Sequence, residues 1–539
     1  MTLSNMTPEI EDNLKFYVTN REPFGPASSS IVRDDVNARW ILFNEDNKIC
    51  EEYRNDPNII VGRRGSGKTS ILQNSDKVDR HSYTVFAPAN DLIEFVRDSL
   101  KKSPEGTEFV EQTTKLWDVA LNTYLMSDIA TRSQPTQLKR VKSFLSRSGV
   151  AEGATSASFL SSLRRFGKSA DQHTSGQIIS AIFDFVDGGE DGYDSALVEL
   201  DSFLKAQKES SVVLIDSLED YKLSTEYRKD VMEGLLKCVG EYGNRRRQIR
   251  LCISGEYYFD IRKCSSNPLK DFEKNLLIQW VPSEIYRILA WRFLIFCRLH
   301  DIDLFNRLQR YDILKREDCL ALIDMFLPKK ILNGVGVEEH SISYILRHTQ
   351  MMPRQIISIL NKVFTKGSGM MPNYSGIANS HILEGVKECE HVLVEEIFTA
   401  FKYKFPDARK YISRSLPELP RSFADGELRI VFNHHCKKIL GVRKGIDYHA
   451  FKKMLVEIGA VGRVVTDREG KVDGEFEYAQ PGRLYVSADD KLCLHPIFSG
   501  VFSGQVRKER ELSIVYPQQK MFETDEGRSL KVFVDTDDF

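Results

Sequence analysis

Cysteine is scarce in this chain, nine in 539 residues, and no two of them form a C-x-x-C pair, which argues against zinc ribbons and a disulfide scaffold. No run of about 18 uncharged apolar residues occurs, and the opening MTLSNMTPEIEDN lacks a basic start followed by an apolar stretch. Neither a membrane span nor a secretory leader is therefore expected. An excess of one charge is also missing, because 75 Lys and Arg stand against 77 Asp and Glu for a net charge of -2. Any nucleic-acid surface must then be a local patch. These absences lead us to expect a cytoplasmic protein with no membrane partner. What is present, 41% hydrophobic and 28% charged residues, is an ordinary globular mix, and the length suggests several folding units.

Short apolar runs at Asn58–Gly62, Tyr83–Pro88, Val212–Asp216, Arg250–Gly255 and Leu276–Pro282 read as buried strands, separated by helical patterns such as Tyr227–Tyr242. Such alternation predicts an α/β domain with a mainly parallel sheet. More than a hundred residues separate the second run from the third, too many for one crossover helix. A helical insert near 95–205 should fill the gap, with helices at Thr107–Ser127 and Ser175–Val186 and joints at Gly149–Ser158 and Asp187–Ser195. After Pro282 the pattern turns helical, with Pro353 at a first helical position. The segments expected are an N-terminal extension (1–56) packed on the next domain, a core (57–282), a helical lid (283–380), a further module (381–510) and a tail (511–539). In that module, helices at Glu427–Leu440 and Tyr448–Ile458 precede strands at Ala460–Thr466, Glu475–Ala479 and Arg483–Leu494, with a polar turn at Asp467–Gly474. Helices followed by a β-hairpin outline a winged helix.

One motif carries chemistry. Gly62-Arg63-Arg64-Gly65-Ser66-Gly67-Lys68-Thr69, followed by Ser70, fits G-x-x-x-x-G-K-[ST] between an apolar strand and a helix-compatible run. Three glycines let the backbone turn its N–H groups inward onto phosphate oxygens. Lys68 would reach the β- and γ-phosphates, and Thr69 would offer its hydroxyl to Mg²⁺.

Val212–Ile215 ends at Asp216, a carboxylate placed to hold the Mg²⁺ shell together with Thr69. Ser217 follows it, so the water-positioning base falls to Glu219 or Asp220, or to no efficient base. Ser254, ending another strand, is a candidate γ-phosphate sensor or an ordinary strand-end serine. Arg354, after Met352-Pro353, either reports the γ-phosphate or faces solvent.

The loop GRRGSGKT, the runs VVLIDSLED and RLCISG, the helix PRQIISILN and the winged-helix outline resemble AAA+ ATPases of the origin-recognition and STAND kind. They look closest to the P-loop ATPases of bacterial antiviral defence. That resemblance spans roughly residues 57–500 and implies a P-loop NTPase core with parallel sheet, helical insert, helical lid and C-terminal winged-helix-like module. It further implies an ATP-dependent switch that forms a homo-oligomer and whose winged helix contacts DNA or a partner protein; Ser217 after Asp216 suits slow hydrolysis with Mg²⁺, and the lack of a further catalytic cluster points to a separate effector protein. The alternatives are a nucleotide-gated DNA-binding regulator or scaffold with negligible turnover, and a small-molecule phosphotransferase.

Arg262 with Lys263, and Arg245-Arg246-Arg247, could supply an arginine finger to a neighbouring subunit; a solvated basic surface is the plainer reading. Lys437, Lys438, Arg443, Lys444, Lys452, Lys453 and Arg463 crowd residues 427–463, which could touch DNA or dock protein.

Overall fold

The computed structural model describes residues 3, 6–78, 81–87, 92, 109–150, 189–216, 228–242, 246–367, 376–439, 445–468, 470–479, 484–502 and 513–517. The chain divides into two compact units, one of Lys48–Gly62 and Ile71–Ile278, the other of Met1–Asn47, Arg63–Ser70 and Gln279–Phe539.

In the first unit the apolar runs form one all-parallel sheet of β1 (Ile59–Gly62), β2 (Tyr83–Ala87), β3 (Ser211–Ile215), β4 (Arg247–Ser254) and β5 (Asn275–Leu277), ordered β2-β3-β4-β1-β5. Every residue of β1, β3 and β4 is buried, as continuous Val, Ile and Leu runs require when both sheet faces are covered. Pairing of Gly62 with Ser254 and of Ile215 with Leu251 brings the carboxyl ends of β1, β3 and β4 to one edge. β4 starts three residues before the run that signals it, because Arg247 and Arg250 enter the sheet with partners. Arg250 meets the Asp56 carboxylate at 2.8 Å and lies over the Tyr53 ring at 4.4 Å.

The helical insert shares the core of this sheet. Leu116, Trp117, Leu121 and Leu125 of the helix Phe109–Arg132 bury against the same apolar cluster as Val61, Val213 and Ile253, and Trp117 Nε1 donates to the Val231 carbonyl at 3.1 Å. The helix expected at Ser175–Val186 lies outside the described residues. The joint expected at Asp187–Ser195 instead holds a single turn, Gly189–Asp191, and the start of a helix, Tyr193–Gln207. Tyr193, Ala196, Leu200 and Leu204 form its buried stripe, and the glycine- and acid-rich lead-in concealed that period.

In the second unit, residues 1–47 pack on helices that lie hundreds of residues later. Trp291 Nε1 donates to the Ile41 carbonyl (2.8 Å), and Arg292 Nη1 to that of Phe24 (2.9 Å). Asn361 accepts from Phe24 N and donates to Gly25 O, while the buried Phe24 ring packs against Phe326 and Phe364. Long side chains thus satisfy the carbonyls of an irregular segment, which could not be buried otherwise.

The helices Pro282–His300, Arg316–Phe326, Ser341–Arg347 and Pro353–Lys366 follow as expected, with Pro353 at the helix start. A hairpin of β6 (Lys330–Leu332) and β7 (Glu338–His340) interrupts them. Beyond the helix Asn379–Ala400, the strands β8 (Ser422–Ala424), β9 (Val461–Arg468), β10 (Lys471–Glu475), β11 (Lys491–Leu494) and β12 (Ile514–Pro517) form a sheet ordered β12-β10-β9-β11-β8. The helix Tyr448–Ile458 matches expectation, but the helix from Asp425 ends at Val431 and passes into a π turn, Phe432–Cys436. The expected turn at Asp467–Gly474 is mostly strand, since the reversal tightens around Gly470 (φ 78) and buries Val472 and Asp473. Glu475 ends β10, and Glu477–Ala479 is a short 3-10 turn. Among the described residues no helix is long and apolar enough to cross a membrane.

His495 is wholly buried, and its Nδ1 accepts from Ile497 N at 3.2 Å. The Nε2 proton then points to the Tyr478 hydroxyl at 2.9 Å. Burial pushes its pKa down to about 3, so the unfolded chain binds the proton that the native state refuses. Stability is full above the unfolded value near 6.5 and is lost as pH falls towards 3, by about 2 kcal/mol at pH 5. Urea midpoints at pH 7 and pH 5 should therefore separate less in His495→Gln than in wild type; equal separations would remove His495 as the cause.

Candidate functional site

Three of the expected residues sit at the carboxyl edge of the parallel sheet. Gly62 ends β1, Ser254 ends β4, and the half-buried Asp216 follows β3. Gly255 N donates to the Gly62 carbonyl at 3.0 Å, locking two of these strand ends together. The Ser254 hydroxyl donates to the Glu256 carboxylate, and both residues are buried. Ser254 therefore works as half of a buried pair, and Glu256 is a carboxylate at this edge that its sequence context did not flag. Glu219 and Asp220 lie outside the described residues.

The loop after Gly62 belongs to the other unit. Gly65 and Gly67 have φ of 85° and 95°, conformations that side chains with a Cβ rarely adopt. A Cβ on Gly65 would also lie 3.3 Å from Cβ of Arg354. The loop backbone thus lies against the first turn of the helix Pro353–Lys366, with Arg354 N directed at the Gly65 carbonyl at 3.5 Å. Trp280 holds the next residue, its Nε1 donating to the Ser66 carbonyl at 2.8 Å. Nothing in the local sequence around Trp280 signals that role, since its partner is more than two hundred positions away.

Arg63 reaches into the C-terminal module. It is buried, its Nη2 donates to the Glu457 carbonyl at 2.7 Å, and its guanidinium lies 5.5 Å and 5.9 Å from the Phe401 and Tyr478 ring centres. Glu457 stands at the end of the helix Tyr448–Ile458, where outward carbonyls attract cations. Lys68 is buried, with Nζ 3.3 Å from the Arg63 carbonyl. Arg64 is exposed, and Thr69 and Ser70 are half-buried.

Beside the loop, Oγ of the fully buried Ser66 and the buried Nε of Arg354 have no hydrogen-bond partner. A donor left so costs about 1–3 kcal/mol, a cost that an anion in the loop would offset. These atoms, with Lys68, fit the phosphates of a nucleotide. For Mg²⁺ the described residues hold no cluster of three or more His, Cys, Asp or Glu.

The arginine cluster requires a correction. Arg245 lies outside the described residues and Arg246 is exposed, but Arg247 is not a solvated surface group. It is buried at the start of β4, bound to Asp201 at 2.5 and 3.1 Å and to Asn122 Oδ1, and it lies over the Tyr242 ring. Arg262 is half-buried and Lys263 exposed. The basic patch is also thinner than its sequence count. Lys452 bonds Asp425 (2.7 Å) and Ser487 O, and Arg463 bonds Glu475 (2.6 Å). Lys437, Lys438 and Lys453 remain exposed, while Arg443 and Lys444 lie outside the described residues. Searches with this sequence found no matching protein-family model and no matching curated protein.

Proposed function

We propose that this chain is an ATP-binding molecular switch of the AAA+ type that hydrolyses ATP slowly, oligomerises, and controls an effector protein. The observation that carries this reading is the buried, unpartnered Nε of Arg354 beside a glycine loop held open by positive φ angles. Ser66 Oγ and Lys68 add a second donor and a buried cation to the same loop. Ligands of open parallel sheets bind outside the carboxyl ends of the strands, the edge that carries Gly62, Asp216 and Ser254.

Roles follow from chemistry. The loop amides and Lys68 bind the β- and γ-phosphates, Thr69 and Asp216 hold Mg²⁺, and Arg354 distinguishes the triphosphate from the diphosphate. Bound Mg²⁺ supplies charge neutralisation at the phosphates. Glu219 positions the attacking water. Adenine as the base rests on the resemblance to AAA+ ATPases, as does a setting in antiviral defence. Arg63 supports a switch over a simple hydrolase, because a residue of the phosphate loop caps a helix of the C-terminal module. We read that module as a winged helix, and the loss of Lys452 and Arg463 to internal ion pairs favours protein docking over DNA.

The test is equilibrium binding of ATP and ADP, followed by steady-state hydrolysis with and without duplex DNA. Arg354→Ala is expected to lower ATP affinity about tenfold or more and to leave ADP affinity within about twofold, the loss of one charge-assisted contact. Equal losses for both nucleotides would remove Arg354 as the γ-phosphate reporter. Hydrolysis that disappears in Glu219→Gln supports the ATPase. ATP binding with no turnover in wild type would favour the nucleotide-gated scaffold.

A further inference from the structure

The turn that leads into Arg354 is buried, from Thr349 to Met352. An irregular segment can be buried only where its polar groups find partners, and side chains supply several here. Thr349 Oγ1 donates to the Leu346 carbonyl at 2.8 Å and accepts from Met351 N at 3.1 Å. Gln355 Oε1 accepts from Gln350 N at 2.6 Å. Among these bonds Met351 holds φ 57, a left-handed value that a residue with a Cβ keeps only where its surroundings fix it. Met352 and Arg354 both lie against Gly65 of the loop, so this turn sets how the helix Pro353–Lys366 meets the loop.

Gln350 joins the turn to the C-terminal module. Its Nε2 donates to the Ile458 carbonyl at 3.0 Å, the last residue of the helix Tyr448–Ile458. Gly459, with φ 82, leads the chain out of that helix, and the amides of Gly459 and Ala460 take the carbonyls of Val456 and Leu455, each at 2.9 Å. The final two carbonyls receive side chains from far along the chain, Arg63 at Glu457 and Gln350 at Ile458. Gly459 packs closely on the second of these bonds, because a Cβ there would lie 2.8 Å from Gln350 Nε2. One helix end is thus tied to the loop through Arg63 and to the turn before Arg354 through Gln350.

We propose that Gln350 is a positioning residue for Arg354, and that its bond to Ile458 lets the C-terminal module set the preference of the loop for a nucleoside triphosphate over a diphosphate. This rests on the reading of the loop as a nucleotide site with Arg354 as its γ-phosphate reporter. With the bond made, the left-handed turn is fixed and Arg354 stands against Gly65. With it broken, Met351 is free to relax to negative φ, and the guanidinium loses its fixed place. Linkage makes the effect reciprocal, so ATP favours the tied arrangement by the factor with which the tie favours ATP. A partner that draws the helix Tyr448–Ile458 away would thereby weaken ATP and leave ADP nearly unaffected.

The experiment measures ATP and ADP affinity of the full-length chain by calorimetry in wild type, Gln350→Met, Arg354→Ala and the double variant, with Lys68→Ala as the control for the loop. Gln350→Met keeps the length of the side chain and removes the donor. It should weaken ATP about fivefold and ADP by less than about twofold. The double variant should bind ATP within about twofold of Arg354→Ala alone, because Gln350 acts through Arg354. A merely structural role would instead give losses that multiply and that fall equally on ADP. Gly459→Ala, which drives a Cβ against the Gln350 amide from the side of the C-terminal module, should reproduce the ATP-selective loss, and it carries the test if Gln350→Met does not fold. Equal losses for the two nucleotides, multiplying losses in the double variant, or unchanged ATP affinity in both single variants at positions 350 and 459 overturn the proposal. Wild-type ATP binding that Lys68→Ala removes leaves the loop reading standing under any of those results, whereas no binding by wild type removes both.

Discussion

Lys68→Ala is expected to abolish ATP binding, weakening it by about a hundredfold or more. Lys68 is 5% exposed, and its ammonium lies 3.3 Å from the loop's own carbonyl at Arg63. A buried cation already desolvated by its surroundings gives most of its Coulomb energy to an incoming phosphate, since little further dehydration is required. A charge-assisted hydrogen bond of this sort contributes about 1.5–3 kcal/mol, and 1.4 kcal/mol corresponds to a factor of ten. Lys68→Met, which keeps the packing and removes the charge, separates this from collapse of the loop. Both variants should retain the wild-type circular dichroism spectrum. ATP binding of wild-type strength in either one would eliminate the phosphate-loop assignment.

Arg247→Ala should destabilise the sheet-bearing unit by about 3 kcal/mol. Arg247 sits in a buried polar network that joins the insert to the sheet. Tyr193 and Tyr242 hydroxyls and the Asn122 amide all donate to Asp118, and Arg247 ties Asn122 to Asp201. Burial, then the Asp118 charge, raises both tyrosine pKa values, so the phenols stay protonated donors. Removing the guanidinium leaves Asn122 Oδ1 without its donor and opens a cavity against Tyr242. Asp201 is half-exposed and can rehydrate, which holds the loss at the lower end of the 3–5 kcal/mol range for a broken buried pair. For a unit of this size that is about 6–12 °C in melting temperature. Arg247→Met, which fills the space, should recover part of it. A melting temperature within about 2 °C of wild type in Arg247→Ala would mean that the network contributes little.

Coupling between the phosphate loop and the C-terminal module follows from Arg63 in either outcome of the DNA experiment. Its hydrogen bond to Glu457 and its position over Phe401 and Tyr478 make the loop's conformation a boundary condition on that module. On the proposed reading, motion of Arg63 towards a bound phosphate would uncap the helix Tyr448–Ile458.

Local features were legible in the sequence where a short segment determines its own conformation. β1 and β3 are legible because a strand buried on both faces must be apolar throughout, and β1, β2 and β3 fall within a residue or so of the runs that signal them. The run that signals β4 begins only at Arg250, three residues inside the strand, and the distant partners Asp201 and Asp56 explain the burial of Arg247 and Arg250. The helix Tyr193–Gln207 is concealed by its glycine- and acid-rich approach, and the turn between β9 and β10 reads too long because polar and charged residues carry the strands on to Arg468 and resume them at Lys471. The loop motif is legible because Gly62, Gly67, Lys68 and Thr69 keep its spacing after an apolar strand, and the positive φ at Gly67 fits the glycine there.

By itself, then, the sequence determined the α/β class, the parallel strands and the loop with its lysine, since each depends on neighbours a few positions apart. Tertiary structure decided which long-range partners surround that loop: Trp280 on Ser66, Arg354 on Gly65, and Arg63 on a helix almost four hundred residues away. It also decided that Arg247 and Lys452 are internal ties and not surface charge, and that residues 1–47 pack on helices beyond residue 279. The physical reason is common to all of these. A charged or aromatic side chain has the same sequence signature whether it faces water or a buried partner, and only the folded chain supplies the partner.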